Sequence, residues 1–207
     1  MDAPKSLANE LERSARSAML SKSHMAALAG FVKLIRDAKG PFYKVPDFDP
    51  LDGGESAQVM FLLEAPGPKA VASGFISRNN PDETAKNFYL LNQEAGIDRR
   101  RTIIWNAVPW YIGSGTKIRP AKRDDVHEAD AWLKELLKTL HLLRIVVLVG
   151  KKALYTRNVI QDVRPDIELM VMPHPSPMFI NRYPGNRDRV LKHLQSVADR
   201  LAYFDDQ

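Results

Sequence analysis

Ile145-Val146-Val147-Leu148-Val149-Gly150-Lys151 is a run of five apolar residues with no polar alternation, stopped by a glycine. A strand with one solvated face alternates apolar and polar positions; an unbroken short run is the pattern of a strand buried on both faces. Three other runs have the same character: Val59-Met60-Phe61-Leu62-Leu63, Thr102-Ile103-Ile104-Trp105, and Glu168 to Met172. Helical periodicity fills the intervals. Residues 82–95 open on Pro81-Asp82-Glu83 and close before Gly96. Residues 124–142 carry Trp132, Leu133, Leu136, Leu137 and Leu140 on one face and can be capped by Asp124. Residues 151–160 form a short helix, and residues 186–203 a closing one with Val190, Leu194, Val197 and Leu201 in register. Buried strands alternating with helices predict an α/β fold: a four-stranded parallel sheet flanked by helices on both faces.

Upstream, residues 5–38 read as helical, with Leu7, Leu11, Ala15 and Met19, then Met25, Leu28, Phe31 and Ile35, recurring every three to four positions. Gly40-Pro41 ends that segment, and residues 41–57 are loop-like. With 207 residues, no repeat and no low-complexity stretch, the chain is expected to form a single domain over residues 1–207, with the helical segment 5–38 packed on it.

Composition narrows the function. The chain is 44% hydrophobic and 27% charged, ordinary for a globular protein. It has no cysteine, which excludes disulfides, thiolate metal sites and a cysteine nucleophile. No apolar stretch of about 18 residues is present, so no membrane span is predicted. The start, Met1-Asp2-Ala3-Pro4-Lys5, is unlike a signal peptide, and an intracellular, cytoplasmic protein is expected. A net charge of +5 fits a polyanionic partner.

In open α/β sheets, ligands bind beyond the carboxyl ends of the strands. Here those ends are Glu64-Ala65-Pro66-Gly67-Pro68, Asn106-Ala107-Val108-Pro109, Gly150-Lys151-Lys152 and, after Pro173, His174-Pro175-Ser176-Pro177. Each has a plain alternative. Glu64 fits a solvated strand end, Asn106 a turn cap, the lysines a solvated face, and a histidine between prolines a stiff surface turn. Together they place a carboxylate, an amide, a backbone-exposing glycine and an imidazole on one edge. The prolines fix their own φ and hold the preceding residues extended, so His174 cannot wander.

These motifs resemble the uracil-DNA glycosylase superfamily. His174-Pro175-Ser176-Pro177 is similar to the second motif of the family 1 enzymes. Glu64-Ala65-Pro66-Gly67 is similar to the first motif of family 4, with Leu63 where that family has a glycine. Trp105-Asn106 resembles the strand that supplies a base-reading asparagine, and Val147-Leu148-Val149-Gly150-Lys151 the turn before a phosphate contact. The order and spacing agree over residues 57–203. The resemblance implies a monofunctional glycosylase that flips uracil out of DNA and hydrolyses its N-glycosidic bond, initiating base excision repair. Glu64 and His174 would be catalytic. Asn106 would read the base edge, Phe75 would stack on the base, and the backbone of Glu64 and Ala65 would shape the pocket. Met178 would enter the duplex as a wedge, with Ser176, Gly150, Lys151 and Arg182 on phosphates. The expected partner is DNA containing uracil or an abasic site, bound by a monomer.

Family 1 has an aspartate where Ala65 stands and a tyrosine where Gly67 stands, so Glu64 is the carboxylate left to orient water. Family 4 holds an iron–sulfur cluster on four cysteines; with none here, no cluster and no other cofactor is expected. The departures leave two alternatives open: a tight binder of uracil-containing or abasic DNA with weak turnover, and a glycosylase for hypoxanthine or xanthine. Of the remaining basic residues, Arg99-Arg100-Arg101 read as a solvated run at the far end of the sheet. Lys117, Arg119, Lys122 and Arg123 fall on the site side, and Arg187 and Arg189 are further phosphate candidates.

Overall fold

The structure is a computed structural model that describes residues 2–115 and 117–205. Its centre is a parallel sheet of β2 (Val59–Leu63), β4 (Thr102–Asn106), β5 (Ile145–Val149) and β6 (Glu168–Met172) in the order β4-β2-β5-β6. All four strands lie where the apolar runs predict them. The register pairs Val59 with Thr102 and Leu63 with Asn106 on one side, and Val59 with Ile145 on the other. A two-residue parallel pair, β1 (Asp47–Phe48) with β3 (Phe75–Ile76), lies beside β4; segments this short carry no pattern of their own.

Side chains alternate across a strand, so Val59, Phe61 and Leu63 share a face with Thr102, Ile104 and Asn106. That face is covered by α4 (Glu83–Glu94) and α9 (Asn186–Asp205), with Phe88 of α4 set edge-on to Phe61 at 4.9 Å between ring centroids. The opposite face, bearing Trp105, packs against α2 (Ala26–Lys39), α5 (Arg123–Thr139) and α7 (Arg157–Val163); Phe31 of α2 meets Trp105 at 6.1 Å and Trp132 of α5 at 6.3 Å. Burial of these apolar layers dominates the fold's stabilisation. Three short helices stand at the site edge: α3 (Pro68–Ser73) after the turn that leaves β2, α6 (Gly150–Ala153) directly after β5, and α8 (Pro177–Ile180) after the histidine loop.

The amino-terminal helix departs from expectation. In α1 (Glu10–Met19) the stripe Leu11–Ala15 faces solvent, with Leu11 78% exposed, and the buried residue is Arg16. Its guanidinium donates to Asp49 at 2.6 Å, and Arg99 donates to the same carboxylate at 2.7 Å and to Asp52 at 2.8 Å. Burial pushes the Asp49 carboxyl up, but the Arg99 and Arg16 charges outweigh it and hold it below the usual carboxylate range. Arg99–Arg101 is therefore not a solvated run. Arg99 belongs to this buried network, Arg101 pairs with Asp205 at 2.7 Å, and Arg100 alone of the three lies in solvent, beside Asp98. Burying such charges is tolerable only because each meets a counter-charge.

Candidate functional site

All four strand ends open on one edge, and the ladder continues past the strands to place them. Ala107 N donates to Leu63 O at 2.8 Å and Val108 N to Glu64 O at 3.0 Å, which locks Glu64 beside Asn106. The Glu64 carboxylate accepts from Ala121 N at 2.6 Å, so the loop from β4 to α5 returns across the site to orient it. On the other side, β6 delivers Pro173-His174. Asn87 of α4 donates to Pro175 O at 3.1 Å, and the Ser176 hydroxyl accepts from Phe179 N at 3.3 Å, capping α8. Ser176 thus stabilises the loop's own turn, whatever else it contacts.

Gly150 fits against the imidazole. Its φ is +78°, and a Cβ there would lie 3.3 Å from His174 Cβ. Only glycine combines this left-handed backbone with so close an approach. Gly150→Ala is expected to lower unfolding free energy by about 1–2 kcal/mol from backbone strain and to displace His174. Denaturant melts read the first effect, and the catalytic rate reads the second.

The strand ends enclose a cleft of about 650 Å³. Glu64, Ala65, Asn106, His174, Ser176 and Met178 all line it, as the sequence predicts. Phe75 does not. It is 2% exposed within the β1–β3 pair, and alternation turns its neighbour Ile76 to the cleft instead. The aromatic in the wall is Phe88, which the helical period of residues 82–95 places on a buried face. Two residues that the sequence does not mark as part of the site also line the cleft: Arg78, in a segment without periodicity, and Asp82, which the sequence reads only as the opening of the helix over 82–95.

His174 is half-buried, and burial lowers its pKa below the ordinary 6.5; the nearby Glu64 charge opposes this without reversing it. The imidazole is therefore neutral at pH 7 and able to donate one N–H. The unfolded chain binds that proton at higher pH than the folded one, so the stability His174 contributes is present above pH 6.5 and is lost as the pH falls through the lowered value. Thermal melts from pH 7.5 to 5 are expected to fall more steeply for the wild type than for His174→Asn.

Three carboxyl and amide groups in the cleft differ in how committed they are. Asp82 caps α4, accepting from Ala85 N at 2.9 Å, and burial pushes its carboxyl up. Among the described residues, Glu64 is held by one bond, from Ala121, which leaves its other oxygen to accept from water. Asn106 is 4% exposed, and its Nδ2 has no partner among the described residues; the same is true of Nε of Arg78, which is 3% exposed. Buried donors are almost always satisfied, so each of these two is an exception that the described residues do not account for.

Met178 lines the cleft and stands 83% exposed, whereas Gly150, Lys151 and Arg182 are outside its lining; Lys151 and Arg182 are exposed, Arg182 lying 5.3 Å from the Tyr183 ring centroid. Arg123 and Lys152 flank the Tyr155 ring at 5.2 and 5.3 Å. Arg187 points elsewhere, paired with Glu94, and Arg119 pairs with Asp125 at 2.7 Å. Among the described residues, no group of His, Asp or Glu is arranged to hold a metal ion, and no helix is long and apolar enough to cross a membrane.

The family model of the uracil DNA glycosylase superfamily matches residues 50–198. No curated protein matches the chain. One similar solved structure is a solution NMR structure described as "a putative Uracil DNA glycosylase from Methanosarcina acetivorans", 13% identical, with a TM-score of 0.48 over 70% of this chain and 92% of that one.

Proposed function

The chain belongs to the uracil DNA glycosylase superfamily, and from that footing we propose that it is a monofunctional glycosylase that hydrolyses the N-glycosidic bond of uracil in DNA. The observation that carries this reading is the cleft itself. An uncommitted buried amide donor on Asn106, a neutral half-buried imidazole on His174 and a carboxylate with one free oxygen on Glu64 converge at one sheet edge.

The chemistry assigns each group a task. The flipped base enters the cleft, and Asn106 Nδ2 donates to its O4. As the bond to the sugar carbon lengthens, negative charge collects on the base and the sugar gains oxocarbenium character. His174 donates its N–H to O2, stabilising the departing anion as an oxyanion-hole donor does. Glu64 accepts a proton from the water that adds to the sugar carbon. The products are a free base, which takes up a proton, and an abasic site with an intact strand. The exposed Met178 side chain fills the space left in the duplex, offsetting the few kcal/mol of unstacking. Ser176, Gly150, Lys151 and Arg182 are the proposed phosphate contacts. Phe88, rather than Phe75, is the ring available to the base. The scheme needs no cofactor, and a chain without cysteine has no thiolate for an iron–sulfur cluster.

The test is a pair of measurements on one uracil-containing duplex: a gel shift, and strand scission after hot alkali. A glycosylase gives a shift and an alkali-labile site while the untreated strand stays whole. A shift without scission, persisting at enzyme excess, instead describes a binding module.

A further inference from the structure

We propose that Ile118 is a second wedge, set on the lip of the cleft opposite Met178, and that the two side chains together open a base pair of duplex DNA. This inference deepens the glycosylase reading above and rests on it: the double strand becomes the substrate for which the mouth of the cleft is built.

Single exposed apolar side chains are ordinary on a protein surface, so exposure alone marks nothing. Among the described residues, however, only two of the large exposed apolar side chains line the cleft: Met178 and Ile118, which is 43% exposed. Topology sets them on opposite sides. Met178 belongs to α8, which packs on α4 and α9 over one face of the sheet. Ile118 belongs to the loop from β4 to α5, which keeps to the other face. There Tyr111 N donates to Lys44 O, just beyond α2, at 2.9 Å, and the Trp110 ring meets that of Tyr43 at 5.8 Å. The loop then crosses the sheet end, where Ala121 N meets Glu64, and enters α5.

Both neighbours of Ile118 are braced. Lys117 and Ser114 exchange backbone bonds of 2.9 and 3.0 Å, and Tyr111 Oη lies 3.0 Å from Lys117 O. Arg119 grips Asp125 through two bonds of 2.7 Å. An apolar side chain presented between two such anchors can press on a ligand without the loop giving way.

A duplex poses a problem that a single strand does not. Flipping a nucleotide leaves the place it vacated in its own stack, and it also leaves a partner base without a pair. Met178 fills the first. Ile118, reaching in from the opposite lip, enters the partner strand's stack, and its burial there offsets part of the unstacking. A single strand has no partner stack, so Ile118 has nothing to enter.

Single-turnover excision is measured on one uracil-containing sequence, as a duplex and as a single strand. For Ile118→Ala the ratio of duplex to single-strand rate is expected to fall roughly 5- to 30-fold, the worth of burying one partly exposed aliphatic side chain. Ile118→Leu, which keeps an apolar side chain of the same size, restores the ratio. 2-Aminopurine paired with the uracil reads the opening without the chemistry: the wild type brightens the duplex on binding, and Ile118→Ala brightens it less. An unchanged rate ratio, or full brightening by Ile118→Ala, overturns the wedge and leaves the glycosylase reading intact. A wild type that releases uracil from neither substrate overturns the glycosylase reading, and the fluorescence then decides the wedge by itself.

Discussion

His174→Ala slows uracil excision roughly 100- to 1,000-fold, the cost of removing one oxyanion-hole donor, while leaving affinity for uracil-containing DNA nearly unchanged. The asymmetry follows from when His174 acts. Its N–H faces a base that is neutral in the ground state and anionic on departure, so the bond strengthens only as the glycosidic bond breaks. DNA affinity comes instead from cations and the exposed Met178 at the rim. The effect is large because the donor is pre-set. Pro173 and Pro175 fix the backbone on both sides, Asn87 holds Pro175 O, and Gly150 packs against the ring. It is also neutral, since burial lowers its pKa, so it donates without first losing a proton to the leaving base. Measured as single-turnover rate against Kd, the expected pattern is a rate loss at constant affinity. A matching loss in affinity assigns His174 to DNA binding instead.

Glu64→Gln is the second large effect: a rate loss of roughly 100- to 10,000-fold, the range for a general base. The substitution is chosen because the bond from Ala121 N at 2.6 Å survives it. The amide oxygen accepts from the same donor, so the loop over the site stays in place, and what disappears is the ability to take a proton from water. Asp82 does not substitute, because capping α4 commits its carboxylate. The variant should retain tight binding to uracil-containing DNA, making it a trap for the uncleaved complex. Wild-type rate in Glu64→Gln would show that water reaches the sugar without this carboxylate.

The sheet was legible because four unalternating apolar runs admit little besides buried parallel strands, and the strand ends then bring Glu64, Asn106 and His174 together by topology alone. What was not legible depended on contacts distant in sequence. Phe75 and Ile76 are adjacent, and only the pairing of Asp47 with Phe75 decides which faces the cleft. Arg99 reads as solvated until the loop bearing Asp49 and Asp52 is folded over it, and Leu11 reads as core until Arg16, one turn further on, is found to be the buried residue of α1. Arg187 reads as a phosphate contact until α9 lies against α4 and brings it to Glu94. Arg78 carries no pattern at all; its place in the cleft follows from the turn after β3.

The most direct measurement of the central claim is release of free uracil from a duplex oligonucleotide carrying a single uracil, followed in parallel for the wild type and the His174→Ala, Glu64→Gln double variant. The arrangement of Glu64, Asn106 and His174 predicts uracil and an intact abasic strand from the wild type, and release at or near background from the double variant. Undiminished release by the double variant, or none by the wild type under conditions where it binds the duplex, would contradict it.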